Sequence, residues 1–338
     1  MIRVLLVDDS PTFRATLMGV LDAHPDFGVL GSAFDGEQAL DLVLRLKPDL
    51  VLMDLVMPRL GGIEATRQIM RVAPCPIVLL SGQLRAREEG LVFEALNAGA
   101  VDVLPKPLGL GQLEVQERFL RSLRMMASVK LTRRRSSPDA PRAGGREGPR
   151  LVAVGASTGG PPAICRLLRS LDPDFPLPLA IAQHLAPGFA AGFRRWLGEA
   201  SGRGVQTVDR PLVPMPGQVY LAADGFHLVW EGERLCPASA GAPSSFAMPS
   251  VDRLFESLLP VAPGVLAVLL TGMGTDGSQG LLKLRAAGAY TLVQDEPTSL
   301  VHGMPLAARE LGAAAEELPL EQIGPRLAQL AGAGRTHG

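Results

Sequence analysis

Short aliphatic runs recur along this chain, and each is followed by a longer segment whose apolar residues repeat at helical spacing. That rhythm is what a parallel sheet needs, because parallel neighbours cannot be joined by tight turns and require a crossover helix. In the first ~120 residues the runs Arg3–Val7, Val29–Ala33, Leu50–Met53, Ile77–Leu80 and Val101–Leu104 read as strands. Helices are expected between and after them, over Pro11–Asp22, Gly36–Leu46, Gly61–Arg71, Arg85–Ala98 and Gln112–Met126.

Five strands alternating with five helices predict a flavodoxin-like (βα)5 domain over 1–121. The alternation resumes after residue 150, with strands expected at Leu151–Val154, Leu179–Ala182, Val219–Leu221, Leu228–Trp230, Val265–Leu270 and Ala289–Val293. Gly225 and Gly232 suggest a hairpin, and the chain should end in a short helix and a tail. The second half, 150–338, therefore reads as another doubly wound α/β domain with a mainly parallel sheet. Between the two, residues 121–150 carry nine Lys or Arg against Asp139 and Glu147, and Ser136-Ser-Pro138, Pro141 and Gly144-Gly145 break any period. We read 122–149 as a flexible basic linker. A nucleic-acid arm is the other reading, but no recognition motif adjoins it.

A net charge of −1 argues against a general polyanion binder, so no nucleic-acid partner is expected. Cys75, Cys165 and Cys236 are odd in number and far apart, which suggests no disulfide framework and a reducing compartment. Asp8 and Asp9 directly after the first apolar run are wrong for a signal peptide, and runs such as Val265–Leu270 are too short to span a bilayer. A cytoplasmic protein with no membrane insertion is expected.

The ends of the strands carry the chemistry. Asp8 and Asp9 follow the first strand, Asp54 the third, Ser81 the fourth, and Lys106 the fifth. In a doubly wound sheet such ends converge on one crevice. Three carboxylates there repel one another and suit a hard cation such as Mg²⁺. Ser81 and Lys106 can hold the oxygens of a phosphoryl group, with Asp54 as its acceptor. Helix capping is the bland reading of each residue alone.

In the second half, Gly155-Ala-Ser-Thr-Gly-Gly-Pro161 follows the run Leu151–Val154 and puts Ser157 on a strand-to-helix turn. A serine hydroxyl needs an adjacent base. His184 follows the strand Leu179–Ala182, whereas His227 and His302 lie near turns and are weaker rivals. Asp276, in the glycine-rich loop after Val265–Leu270, is placed to orient the imidazole. The expected triad is Ser157–His184–Asp276, whose chemistry requires no cofactor, with the N–H groups of Thr158 and Met273 as oxyanion donors. Its order differs from that of the α/β-hydrolases. Taken singly, Gly155–Gly160 can be a phosphate-binding turn, though without a P-loop pattern, and the later glycine loop a simple turn.

Residues 1–121 resemble the receiver domain of two-component response regulators, through Val7-Asp-Asp-Ser10, Met53-Asp-Leu-Val-Met-Pro58, Leu80-Ser-Gly82 and Lys106-Pro107. The resemblance implies that Asp54 accepts phosphate from a histidine kinase, with Asp8, Asp9, Asp54 and the carbonyl of Val56 around Mg²⁺. Receivers usually carry Phe or Tyr three residues before the lysine, and here that position is Val103. Residues ~150–330 resemble the catalytic domain of the chemotaxis protein-glutamate methylesterases, the CheB family. The matching strings are Gly155–Pro161, Gln183-His184 with Pro187-Gly-Phe189, Pro249-Ser-Val-Asp252, Leu270-Thr-Gly-Met-Gly274 with Asp276-Gly277, and Gly303-Met-Pro305.

That resemblance implies hydrolysis of glutamate γ-methyl esters, and deamidation of specific glutamines, on chemoreceptors. A CheA-type histidine kinase would be the phosphodonor, and the unphosphorylated receiver would cover the esterase cleft. Met248 stands where members often carry Arg, and Ala223-Asp224 where many have Pro-Gly-Asp. Ser250 and Asp252 read as structural caps. A receptor-binding scaffold with altered or lost esterase activity is the alternative, and an esterase or amidase acting on another substrate is a third reading.

Overall fold

The computed structural model describes residues 1–82, 89–107, 109–127, 149–186, 188–239 and 248–333. The chain divides into two compact units, Met1–Leu131 and Thr132–Gly338.

In the first unit β1 (Ile2–Val7), α1 (Pro11–Asp22), β2 (Phe27–Ala33), α2 (Gly36–Leu46), β3 (Leu50–Asp54), α3 (Gly62–Val72), β4 (Ile77–Ser81), α4 (Glu89–Ala98), β5 (Asp102–Pro105) and α5 (Leu113–Ala127) alternate. The strands lie in the order β2-β1-β3-β4-β5, with every pairing parallel. Every residue of β3 and β4 is buried, as expected for strands covered on both faces. Side-chain caps open two of the helices. Ser10 Oγ accepts from Phe13 N at the start of α1, and the buried Asp35 accepts from Gln38 N at the start of α2.

Several boundaries differ from the sequence reading by a residue or two. The third and fourth strands run one residue further, because Asp54 and Ser81 remain in the ladder opposite Leu80 and Pro105. The fifth begins at Asp102 rather than Val101. Residues 122–126, which the sequence reading assigns both to the fifth helix and to the linker, are helical: α5 runs one residue past the expected Met126, to Ala127, because Leu123 and Met126 extend the buried stripe begun by Phe119 and Leu120. The rest of the expected linker, 128–148, and the expected first turn of the fourth helix, 85–88, lie outside the described residues.

The second unit runs β6 (Leu151–Ala156), α6 (Gly160–Ser170), β7 (Leu179–Gln183), α7 (Ala190–Ser201), β8 (Val205–Val208), β9 (Val219–Ala222), β10 (Phe226–Glu231), β11 (Arg234–Ser239), α8 (Val251–Ser257), β12 (Val265–Leu269), α9 (Ser278–Ala286), β13 (Tyr290–Gln294), α10 (Gly303–Glu310), β14 (Glu316–Leu318) and α11 (Leu320–Ala333). Seven of these strands form a parallel sheet in the order β14-β13-β12-β6-β7-β9-β8. The remaining two, β10 and β11, make an antiparallel hairpin that turns at Gly232 and Glu233. Strands β8 and β14 were not expected. Both are short sheet edges with polar side chains, and neither presents an aliphatic run.

The first strand of this unit, β6, sits mid-sheet between β12 and β7. The chain therefore builds outward in one direction and then in the other, and the reversal at β6 opens a crevice at the carboxyl ends of β6, β7 and β12. Helix α8 packs close beside β6: a Cβ added at Gly155 would stand 2.2 Å from Val251 Cγ1. Gly155→Ala is expected to lower stability by about 1–3 kcal/mol through overpacking. A thermal unfolding scan reads this as a lower melting temperature of the second unit, and an unchanged one would contradict the tight β6–α8 contact.

Candidate active site

Each unit gathers polar residues at the carboxyl edge of its sheet. In the first, Asp8 lies just past β1, and Asp54 and Ser81 end β3 and β4. Asp8, Asp54 and Ser81 are buried and Asp9 is exposed. Lys106 follows β5, and its Nζ lies 2.8 Å from Asp54 Oδ2 and 2.6 Å from Asp8 Oδ2, with the ammonium over the Phe13 ring at 4.8 Å. Ser81 joins this edge through its carbonyl, which accepts from Lys106 N at 2.8 Å. Val56, half exposed, donates its N–H to Asp54 Oδ1 at 3.5 Å.

Burial raises the Asp54 carboxyl above its ordinary value against the pull of Lys106, and the charge of Asp8 adds to the rise. Burial also opposes the Lys106 charge, but its hydrogen bonds to Asp54 and Asp8 outweigh that and hold the ammonium above its usual range. Carboxylate oxygens of Asp8, Asp9 and Asp54 lie within 4.8 Å of one another. Three hard anionic donors facing a single ammonium suit a hard divalent cation, so the residues fit Mg²⁺. Val103, at the position where receivers usually carry an aromatic, is a buried residue of β5 paired with Leu79.

The second edge is built on the turn after β6. Gly159 has φ +76°, a conformation that favours glycine, and it lets the chain pass from strand to helix within three residues of Ala156. Ser157 sits at the tip, half-buried. Its backbone N donates to Thr271 O at 3.1 Å, and Thr271 Oγ1 donates to Thr158 O at 3.0 Å. The loop carrying Met273 lies directly against the serine, since a Cβ on Gly272 would stand 2.8 Å from Ser157 Cβ.

His184 leaves the end of β7. Its Nδ1 is 3.1 Å from Ser157 Oγ and its Nε2 is 2.7 Å from Asp276 Oδ2. An ionised carboxylate only accepts, so Nε2 carries the ring proton and Nδ1 is left to receive the serine's. Ring nitrogens therefore serve in the opposite sense to the familiar serine-protease arrangement, where Nε2 faces the serine. His227 and His302, the weaker histidine candidates, do not meet Ser157. His227 is instead buried behind the site, its Nδ1 accepting from Ser250 N at 2.9 Å. Burial, and then Arg253, lower its pKa against the opposing charge of Asp276, which favours this neutral acceptor form.

Asp276 meets the first turn of α8. Its carboxylate accepts from Ser250 Oγ at 3.0 Å, Val251 N at 2.7 Å and Asp252 N at 3.0 Å, besides His184. Burial pushes the Asp276 carboxyl up, yet the His184 hydrogen bond and the α8 amides outweigh it and hold the group down at about 2. Ser250, read from sequence as a cap, does cap α8 by accepting from Arg253 N at 3.3 Å. It also donates to Asp276, a second role the sequence did not reveal.

Asp252 returns the arrangement by accepting from Gly280 N at 2.6 Å in α9, the helix that follows Asp276. Another unanticipated residue is Gln183, whose amide reaches the backbones of both Ser157 and His184. The sequence named it only within the Gln183-His184 string of the family resemblance and as a polar residue closing the aliphatic run of β7, with no role attached. Met248, at the position where family members often carry Arg, touches the site through its carbonyl, which accepts from Leu185 N at 3.2 Å. Asp224 Oδ1 accepts from Gly188 N at 3.1 Å and so ties down the loop after His184.

Burial first, and then the charge of Asp276, push the Asp252 carboxyl up from its ordinary 3.8 to about 6, against the Gly280 N–H. A carboxyl raised in the folded state favours folding below its unfolded value and loses that contribution as pH rises through the folded one. Asp252→Asn keeps an acceptor for Gly280 and cannot ionise. Its stability relative to wild type, from guanidinium unfolding, should therefore grow between about pH 4 and pH 6.5 and level off above. A constant difference across that range would contradict the raised Asp252 carboxyl.

Comparison with known proteins places both halves. The family model described as CheB methylesterase matches residues 152–327, and that of the response regulator receiver domain matches residues 4–116. Over 98% of this chain and 99% of its own length, a Geobacter metallireducens protein named protein-glutamate methylesterase/protein-glutamine glutaminase 4 is 42% identical. A Nitrosospira multiformis protein named protein-glutamate methylesterase/protein-glutamine glutaminase is 40% identical over 98% of this chain and 97% of its own. Among solved structures, the Thermotoga maritima CheB methylesterase catalytic domain superposes with a TM-score of 0.51 at 30% identity, covering 54% of this chain and 99% of that one.

Proposed function

The chain belongs to the CheB methylesterase family, with a response regulator receiver domain ahead of the methylesterase domain, and from that premise we propose a mechanism for its reaction and its control. The protein is a protein-glutamate methylesterase and protein-glutamine glutaminase, as its full-length relatives are named. Ser157, His184 and Asp276 are the catalytic residues of this reading. The observation that carries it is the continuous hydrogen-bond run from Ser157 Oγ through both ring nitrogens of His184 to Asp276, at 3.1 and 2.7 Å.

In this mechanism Ser157 Oγ attacks the γ-carbonyl carbon of a methylated glutamate while its proton passes to His184 Nδ1. The ionised Asp276 stabilises the imidazolium that forms. Thr158 N–H and Met273 N–H hold the oxyanion. Collapse of the tetrahedral intermediate breaks the C–O bond, and His184 returns its proton to the departing methanol. Water then enters by the same route in reverse, freeing a glutamate carboxylate and restoring Ser157. With a glutamine substrate the leaving group is ammonia.

The substrates of this reading are chemoreceptors. Control comes from the receiver: a CheA-type histidine kinase supplies the phosphoryl group that Asp54 accepts, and phosphorylation shifts the population toward an active esterase. Asp8, Asp9 and Asp54 would hold Mg²⁺, with the Val56 carbonyl as a further ligand, and the ion supplies charge neutralisation at the phosphoryl group. Ser81 and Lys106 would hold the phosphoryl oxygens. With Val103 in place of an aromatic, transmission does not run through an aromatic rotamer there. We place the enzyme in the cytoplasm. Among the described residues no helix is long and apolar enough to cross a membrane.

Methanol release from methylated receptor fragments tests both halves. Ser157→Ala is expected to lower the rate by more than about 10³-fold. Acetyl phosphate with Mg²⁺ should raise the wild-type rate and leave Asp54→Asn unchanged. Release that survives Ser157→Ala would sink the serine mechanism, and equal stimulation of Asp54→Asn would sink the gating. No release from the phosphorylated wild type would favour the scaffold.

A further inference from the structure

One side chain reaches both partners of the nucleophile–base pair without belonging to the triad. Gln183 ends β7 and is 4% exposed. Its Nε2 donates to Ser157 O and to His184 O, each at 2.9 Å. A flipped amide would set its oxygen against two carbonyl oxygens, so the acceptors fix its orientation. Among the described residues Oε1 is buried with no hydrogen-bond partner. Leu or Met would fill this space without burying an unpaired acceptor, an unfavourable state. The two donated hydrogen bonds are therefore what an amide contributes here. Neighbouring backbone is shaped to admit it, since a Cβ on Gly160 would stand 1.9 Å from Oε1.

Peptide geometry extends the reach of these bonds. The Ser157 carbonyl and the Thr158 N–H belong to one planar trans unit and point in opposite directions. Gln183 Nε2, together with Gly160 N at 2.7 Å, holds the Ser157 oxygen and so sets the direction of the Thr158 N–H. Thr271 fixes the flanking peptides, accepting from Ser157 N and donating to Thr158 O. Gln183 adds a hold on His184 through the same nitrogen.

We propose that Gln183 is a positioning residue that keeps Ser157, the Thr158 N–H and His184 in mutual register for ester hydrolysis. The proposal rests on the hydrolytic reading of Ser157, His184 and Asp276.

The test uses the full chain, a synthetic peptide carrying a glutamate γ-methyl ester, and a fluorophosphonate that labels an activated serine. Gln183→Met should lower kcat by about 10²-fold, the order expected when reacting groups are misplaced by about an ångström. KM should stay within about twofold, and the labelling rate should fall in parallel with kcat. Gln183→Glu supplies a second readout. Its neutral carboxylic acid can donate one hydrogen bond and its carboxylate none, so its kcat relative to wild type should rise as pH is lowered. This ratio decides the matter if Gln183→Met does not fold.

A Gln183→Met enzyme within about threefold of wild type in kcat and labelling would overturn the proposal. So would a Gln183→Glu ratio that does not change with pH. Ser157→Ala separates the two levels of the argument. Full activity in that variant would overturn the hydrolytic reading itself, whereas an inactive Ser157→Ala beside a wild-type-like Gln183→Met would overturn only the role of Gln183.

Discussion

The carboxylate of Asp276 joins the loop after β12, the first turn of α8 and the imidazole of His184 through four hydrogen bonds of 2.7–3.0 Å. Three of the donors belong to Ser250, Val251 and Asp252, which open α8, so a helix N-terminus faces the negative charge. Without that charge the α8 amides would lose an acceptor and His184 would lose the group that fixes its tautomer. Local stability and the proposed chemistry therefore depend on the same ionised group. That dependence explains why Asp276 stays ionised although it is largely buried: its hydrogen bonds outweigh the desolvation that burial imposes.

Asp252 shows what this arrangement costs. It caps α9 from α8 while Asp276 caps α8 from the loop before α9, so two helix starts exchange carboxylates. Burial drives the Asp252 carboxyl upward, and the neighbouring Asp276 charge adds to the rise, while Asp276, with more donors, is held down. In the proposed mechanism the imidazolium forms beside Asp276, the lower of the pair, where it is best stabilised. A comparable economy appears in the first unit, where one ammonium, Lys106, serves both Asp8 and Asp54.

Much of this was legible in the sequence because α/β folds place chemistry at strand ends. Ser157, His184 and Asp276 each follow an aliphatic run, as do Asp9 and Lys106, and the central strands needed only boundary corrections. The hydrogen bonds that support the triad from outside it were not legible. Gln183 and Ser157 are 26 residues apart, and Ser250 and Asp276 also 26, with no period to link either pair. Edge strands were missed for a different reason. In β14 the buried Glu316 is paired with the buried Arg326, a polar contact that looks like surface in one dimension.

The central claim is that ester hydrolysis passes through a covalent intermediate on Ser157. Acid quench of the enzyme during turnover of a peptide carrying a glutamate γ-methyl ester, followed by mass spectrometric peptide mapping, tests it most directly. The account predicts an adduct of the peptide's mass less methanol, located on Ser157 and absent from Ser157→Ala. Turnover with the adduct on another residue, or undiminished turnover in Ser157→Ala, would contradict it.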